Sequence, residues 1–158
     1  ELAKRQFSQE DLARGKELLR MAAFLQFTLP GIACIYYGDE AGMTGYRDPF
    51  NRRFYLWGEE DKSLVAFYRT LSKLKRTLPA LRSGDVTVVE AGNGRLMFLR
   101  RTKEQTLCVC CNKSREPWEL NAPGEVLMGG GIASLLPGKV RLGEGGYCLV
   151  TREGRKML

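Results

Sequence analysis

The sequence predicts an α/β segment followed by an all-β segment. Three observations carry this. Residues 8–78 run helix, short apolar stretch, long polar loop, helix, which is the grammar of a parallel α/β sheet. After Leu81 the hydrophobic period changes from helical spacing to short runs. Those runs are closely spaced and separated by Gly, Pro and Asn turn signals, the pattern of an antiparallel β-sandwich. The boundary falls near Leu81 to Asp85, so the expected domains are residues 1–82 and 83–158.

Ser8 is placed to cap the first helix, with Glu10 and Asp11 in the first turn, where the macrodipole favours acids. Leu12, Leu18, Leu19, Ala22, Ala23, Leu25 and Leu29 recur near helical spacing, and Pro30-Gly31 ends the helix. Residues 32–37 are apolar, β-branched and aromatic, and read as a buried strand. The run stops at Gly38-Asp39-Glu40; in parallel α/β barrels ligands meet the C-terminal ends of strands. The loop from Gly38 to about Glu60 is long for a compact domain, and long ordered loops at strand ends often carry function. Asp61 or Ser63 caps the next helix, whose stripe is Leu64, Phe67, Tyr68, Leu71, Leu74 and Leu78. Lys73, Lys75 and Arg76 suit its last turns, and Pro79 stops it. So regular a stripe favours core packing over a membrane surface.

Seven strand-like runs follow, at residues 86–90, 96–101, 106–111, 118–120, 125–128, 140–142 and 147–151. Gly129-Gly130-Gly131 and Gly143-Glu144-Gly145-Gly146 read as turns between them. The triple glycine lacks the Lys-Ser/Thr and the helix that a phosphate loop needs.

Net charge is +7, spread evenly: residues 1–83 carry 14 basic and 10 acidic groups, and residues 84–158 carry 11 and 8. A nucleic-acid binder concentrates its charge in a stripe, so no nucleic-acid partner is expected. No apolar run approaches membrane-spanning length. The start, Glu1-Leu2-Ala3-Lys4-Arg5, has neither an initiator Met nor a signal-peptide pattern, which suggests a cut rather than a natural start. The five cysteines, Cys34, Cys108, Cys110, Cys111 and Cys148, are odd in number, and Cys34 lies in the apolar run. That argues against a disulfide framework and for a reducing, cytoplasmic compartment. Cys108-x-Cys110-Cys111 has no second cluster and no histidine to complete a metal site. Alternate strand positions share a face, so Cys108 and Cys110 are expected to pack together as small hydrophobes.

Pro30 to Met43, with Tyr36-Tyr37-Gly38-Asp39-Glu40 at its centre, is followed by Thr44-Gly45, then Asp48-Pro49-Phe50-Asn51-Arg52, then Leu56-Trp57. This stretch resembles the last barrel strand and following loop of the α-amylase family of glycoside hydrolases, in particular its cyclomaltodextrinase and neopullulanase branch. The resemblance is dense over about thirty residues and looser elsewhere. It implies the terminal part of a (β/α)8 barrel, then a C-terminal antiparallel β-sandwich. It further implies retaining hydrolysis or transfer at α-1,4 and α-1,6 glucosidic bonds of maltooligosaccharides, cyclodextrins, pullulan or starch.

Retaining glycosidases need two carboxyl groups about 5–5.5 Å apart. Asp39 and Glu40 are neighbours, and neighbours on an extended chain point to opposite faces. In the resembled family the catalytic acids lie upstream, so this chain is expected to hold no catalytic residue and to be inactive alone. Gly38, Asp39 and Glu40 are expected as a structural rim that holds arginines or backbone amides, with direct sugar contact as the alternative. Tyr37 either stacks on a sugar ring or fills the barrel. Asp48 and Arg52 match the family loop on the donor side of the glucan groove. A carboxylate accepts from sugar hydroxyls and a guanidinium donates to them through a rigid fork. The alternative is a mutual ion pair that only closes the loop. Arg47 and Arg53 are expected in solvent, and Tyr46, Phe50 and Asn51 leave the sugar specificity open.

The expected partners are an α-glucan substrate and the upstream part of the barrel, with no membrane and no metal or organic cofactor. Cut from its neighbours, the apolar run at 32–37 would leave two open edges, so the isolated chain is expected to self-associate, or else to keep 1–60 mobile beside a folded sandwich. The competing class is a non-catalytic carbohydrate-binding or interaction module. It ranks second because Trp118 and Tyr147 are too few for a sugar platform.

Overall fold

The computed structural model describes residues 7–45 and 48–152. In chain order these form α1 (Gln9–Thr28), α2 (Lys62–Thr77), α3 (Pro79–Ser83), β1 (Asp85–Gly92), β2 (Arg95–Arg101), β3 (Thr106–Asn112), β4 (Trp118–Asn121), β5 (Val126–Leu136) and β6 (Lys139–Arg152). Ser8 caps α1 as expected, its hydroxyl accepting from the Asp11 N–H at 3.0 Å. Of the two caps offered for α2, the chain uses Asp61, which accepts from the N–H groups of Ser63 (2.9 Å) and Leu64 (3.1 Å). Pro79 ends α2 but also opens the short α3, since a proline at the first helical position has no N–H to satisfy.

The six strands make one antiparallel sheet in the order β1-β2-β3-β6-β4, with β5 paired to β6. Residues 139–142 of β6 bond β4, and residues 146–152 bond β3. The hairpin partner β5 runs along both parts. The sheet therefore branches at the middle of β6 and curls. Asn112, fully buried, pins that point: its Nδ2 donates to the carbonyls of Leu142 (3.2 Å), Gly143 (3.0 Å) and Glu116 (3.0 Å).

The middle of the sheet is buried on both faces, while β1 is exposed along its length. Leu107, Val109, Tyr147 and Leu149 face the helices, where Phe24, Phe27, Phe67, Leu71 and Leu81 complete one core cluster. Cys110, Cys148 and Val150 point the other way, onto Trp118, Leu120, Val140 and Leu142 in a second cluster. Cys108 packs against this cluster, with its Sγ 3.6 Å from that of Cys110, as the alternation predicts.

Three expectations need correction. Gly129-Gly130-Gly131 is no turn; it lies inside β5. A Cβ on Gly130 would sit 2.7 Å from the buried Tyr147 ring, so this glycine is there for close approach. Likewise 140–142 and 147–151 are one strand, continuous through Gly143–Gly146, which reduces seven runs to six strands. The third correction is residues 32–37. They form no ladder; among the described residues every strand lies between Asp85 and Arg152, and none pairs with this segment. Ile32 is 98 % exposed, and Cys34 is exposed rather than buried in a strand. A strand exists only through a partner's N–H and C=O groups, and the described chain offers none here. Among the described residues no helix is long and apolar enough to cross a membrane.

Candidate functional site

Gly38 turns the chain. Its φ is +94°, it is buried, and a Cβ there would lie 2.5 Å from the Met43 sulfur. The Gly38 carbonyl then accepts from the N–H groups of Ala41 (3.1 Å) and Met43 (2.9 Å). Glu40 folds back inside this turn, accepting from the Gly38 N–H at 2.9 Å, and its charge lies near the Tyr55 phenol, which burial first and then that charge push up. Asp39 is partly buried beside it. Burial first, and then the Glu40 charge, raises its carboxyl above the ordinary range. Burial followed by the charges of Asp39 and Glu40 pushes the buried Tyr68 phenol up to about 12. Gly38, Asp39 and Glu40 thus form a braced turn with two phenols around it, and Glu40 is already engaged by protein groups.

Tyr37 lies at the surface. Its hydroxyl donates to the Arg53 carbonyl at 3.0 Å, and its ring packs against Tyr36 with centroids 5.1 Å apart. This bond ties residues 36–40 to the loop beside Arg52. Asp48 and Arg52 face each other one turn apart: Arg52 Nε lies 2.5 Å from Asp48 Oδ1, and Nη2 donates to Oδ2 at 3.1 Å. The turn that sets this spacing is closed by the Arg52 N–H on the Pro49 carbonyl at 3.0 Å. The Arg52 side chain is 70 % exposed and that of Asp48 58 %. A fork and a carboxylate so exposed retain free valences for hydroxyl groups.

Asp61 closes the loop. Its N–H donates to the Ala41 carbonyl at 3.0 Å, and its carboxylate meets Lys16 of α1 at 2.6 Å. The Lys16 and Ser63 hydrogen bonds hold that carboxyl well below its ordinary range. On the loop's outer side Phe54 and Trp57 are 98 % and 83 % exposed, with Tyr55 and Trp57 rings 4.8 Å apart.

Two participants escaped the sequence reading. Tyr55 lies near the Glu40 charge, and Tyr36 is the ring on which Tyr37 packs. The aromatic density of 36–57 was the only signal for either. Arg53 is exposed, as expected, yet it also donates to the Thr44 carbonyl at 3.4 Å. Tyr46 and Arg47 lie outside the described residues. Among the described residues no group of three His, Cys, Asp or Glu side chains is arranged to hold a metal ion.

This arrangement, a braced Gly-Asp-Glu turn followed by a closed loop with an exposed acid–arginine pair, coincides with a family match. Residues 4–94 match the family described as "Alpha amylase, catalytic domain", and the chain belongs to the α-amylase family. The resemblance read from residues 30–57 is borne out. Over 78 residues the chain is 41 % identical to the amylopullulanase of Thermoanaerobacterium thermosulfurigenes, covering 49 % of this chain and 4 % of that protein. It is 36 % identical over 104 residues to a cyclomaltodextrinase of a Bacillus sp, covering 63 % of this chain and 19 % of that protein. Its structure is similar to that of the debranching enzyme from Nostoc punctiforme, with a TM-score of 0.73 and 25 % identity over 86 % of this chain and 31 % of that one. It is also similar to the maltogenic amylase from S. marinus, with a TM-score of 0.68 and 26 % identity over 87 % and 19 %. The chain spans less than a fifth of the length of either sequence relative.

Proposed function

We propose that this chain is the C-terminal part of a retaining α-glucan hydrolase. Residues 1–82 would be the end of a (β/α)8 barrel, and residues 83–158 the C-terminal β domain. The substrates would be α-1,4 and α-1,6 glucosidic bonds in maltooligosaccharides, cyclodextrins, pullulan or starch. The observation that carries this reading is the exposed Asp48–Arg52 pair on a loop that falls inside the family match.

The chain's share would be recognition rather than bond cleavage. Arg52 would donate to ring hydroxyls and Asp48 would accept from them, fixing a glucose unit on the donor side. Tyr37, held through its hydroxyl, leaves its ring for stacking on the apolar face of a sugar. Glu40 is engaged by the Gly38 N–H and braces the turn, and Asp39 is partly buried beside it. Neither is offered as nucleophile or acid. The two carboxyl groups of retaining hydrolysis would come from polypeptide upstream of this chain.

The test is release of nitrophenol from a nitrophenyl maltoside, with the pure 158-residue chain and with the polypeptide extended upstream through a whole barrel. Turnover is expected only from the extended protein. Turnover by the short chain above a heat-killed control would overturn the assignment of roles, and no turnover by either would overturn the activity.

A further inference from the structure

Arg100 is the most deeply buried charge of the described chain, 1 % exposed, and no carboxylate pairs with it. It stands on β2, yet its Nη1 and Nη2 donate to backbone carbonyls of the helical part. Nη1 donates to the Thr28 carbonyl at 2.6 Å. Nη2 donates to the carbonyls of Gly84 at 2.9 Å and Leu81 at 3.3 Å. Its Nε is left without a partner. Burying a guanidinium this way is costly, so the groups it holds deserve the question of what they position.

Thr28 is the last residue of α1, and α1 carries no basic residue in its last turn. Helix-terminal carbonyls lack intrahelical donors and carry the negative end of the dipole. Here they are served from other elements. Arg100 takes the Thr28 carbonyl, and Lys75 of α2 takes that of Leu29 at 2.8 Å. The chain then enters residues 30–37, which have no strand partner. Beyond Leu29, the one hydrogen bond from α1 onto that stretch is Gln26 Nε2 to the Cys34 carbonyl at 2.7 Å. The direction in which residues 30–40 leave the helix is therefore set mainly at Thr28 and Leu29.

We propose that Arg100 is a positioning residue, through which the antiparallel sheet fixes the exit of α1 and hence the Tyr37–Glu40 turn of the candidate substrate site. The planar fork is what the task needs: one end holds α1, the other holds the α3–β1 junction, and the two ends cannot move independently. A lysine would keep the charge but reach one anchor only. This rests on the functional reading above only for its kinetic arm.

The experiment compares Arg100→Met, Arg100→Lys and a control, Val140→Ala, whose site is buried in the other core cluster away from α1. Exchange is read in the 158-residue chain, and kinetics in the polypeptide extended upstream. Amide exchange is read at Leu29 and across Gly38–Met43, whose N–H bonds report the helix exit and the turn. Arg100→Met should accelerate exchange there about tenfold, as loss of a charged hydrogen bond would. Arg100→Lys should recover only part, and Val140→Ala should leave these amides alone even where it lowers Tm. In the kinetic arm, Arg100→Met should raise KM for long maltooligosaccharides about fivefold with kcat nearly kept, the mark of lost binding rather than lost folded enzyme. Unchanged exchange in Arg100→Met, full recovery in Arg100→Lys, or equal acceleration in Val140→Ala would overturn the proposal. So would accelerated exchange with unchanged KM. If the wild-type polypeptide turns over no α-glucan, the exchange arm still decides the role of Arg100, and the failure belongs to the functional reading.

Discussion

Replacing Arg52 with alanine separates the two meanings of the Asp48–Arg52 pair. If the pair only closes its loop, its worth is that of a solvated ion pair. With side chains 70 % and 58 % exposed, that is about 0–1 kcal/mol in folding stability. If Arg52 also donates to a sugar hydroxyl, its loss removes a charged hydrogen bond of about 1.5–3 kcal/mol in the complex. The corresponding fall in kcat/KM is about ten- to hundredfold. The two effects differ in kind as well as size, because the first appears in denaturation and the second does not. The assay is urea denaturation together with kcat/KM on long maltooligosaccharides and on a short substrate that leaves the donor subsites empty. Arg52→Ala should change stability by less than about 1 kcal/mol and penalise the long substrate far more. Asp48→Ala and the double variant complete a cycle that measures how much the residues act through each other. Equal losses on long and short substrates would show that Arg52 shapes the loop and touches no sugar.

Asp61 joins α1, the loop and α2, so Asp61→Ala should cost about 1–2 kcal/mol from the lost cap and the partly exposed Lys16 contact, read by urea denaturation. Because its folded carboxyl titrates below its ordinary value of 3.8, its stabilisation is full above that pH and is lost as pH falls below it; Asp61→Asn should flatten this acid limb, and an unchanged limb would refute the assignment. For the isolated chain, the exposed Ile32, Ile35, Tyr36, Phe54 and Trp57 predict concentration-dependent self-association in light scattering, and a monomer at all concentrations would count against it.

How much of this was legible depended on whether the cause was local. The caps at Ser8 and Asp61 and the alternation in β3 were readable because each depends on the residue and its near neighbours. Gly130 and Gly143 were misread as turn formers for the opposite reason. Their task is to admit Tyr147 and to let one edge of β6 pass from β4 to β3, and both partners are distant in sequence. The same holds for the site. Asp48 and Arg52, four residues apart, were found together, whereas the Tyr37–Arg53 bond, spanning sixteen positions, was not.

Residues 32–37 carry this distinction furthest. Their composition records a buried strand, and the described chain leaves them without a ladder. Composition reports the environment in which a segment is most stable, whereas a ladder needs its partners present. The segment is nonetheless held, by Arg100 and Lys75 at its root, Gln26 at its middle and Tyr37 at its end, all through side chains. Side-chain tethers fix a few points and leave the N–H and C=O edges available. A segment so presented would suit lateral pairing with neighbours on both sides, the place the proposed barrel would give it. On that view the β sheet contributes to the candidate site without touching it: Arg100 sets where the segment begins, Gly38 sets where it turns, and the Asp48–Arg52 loop follows from both.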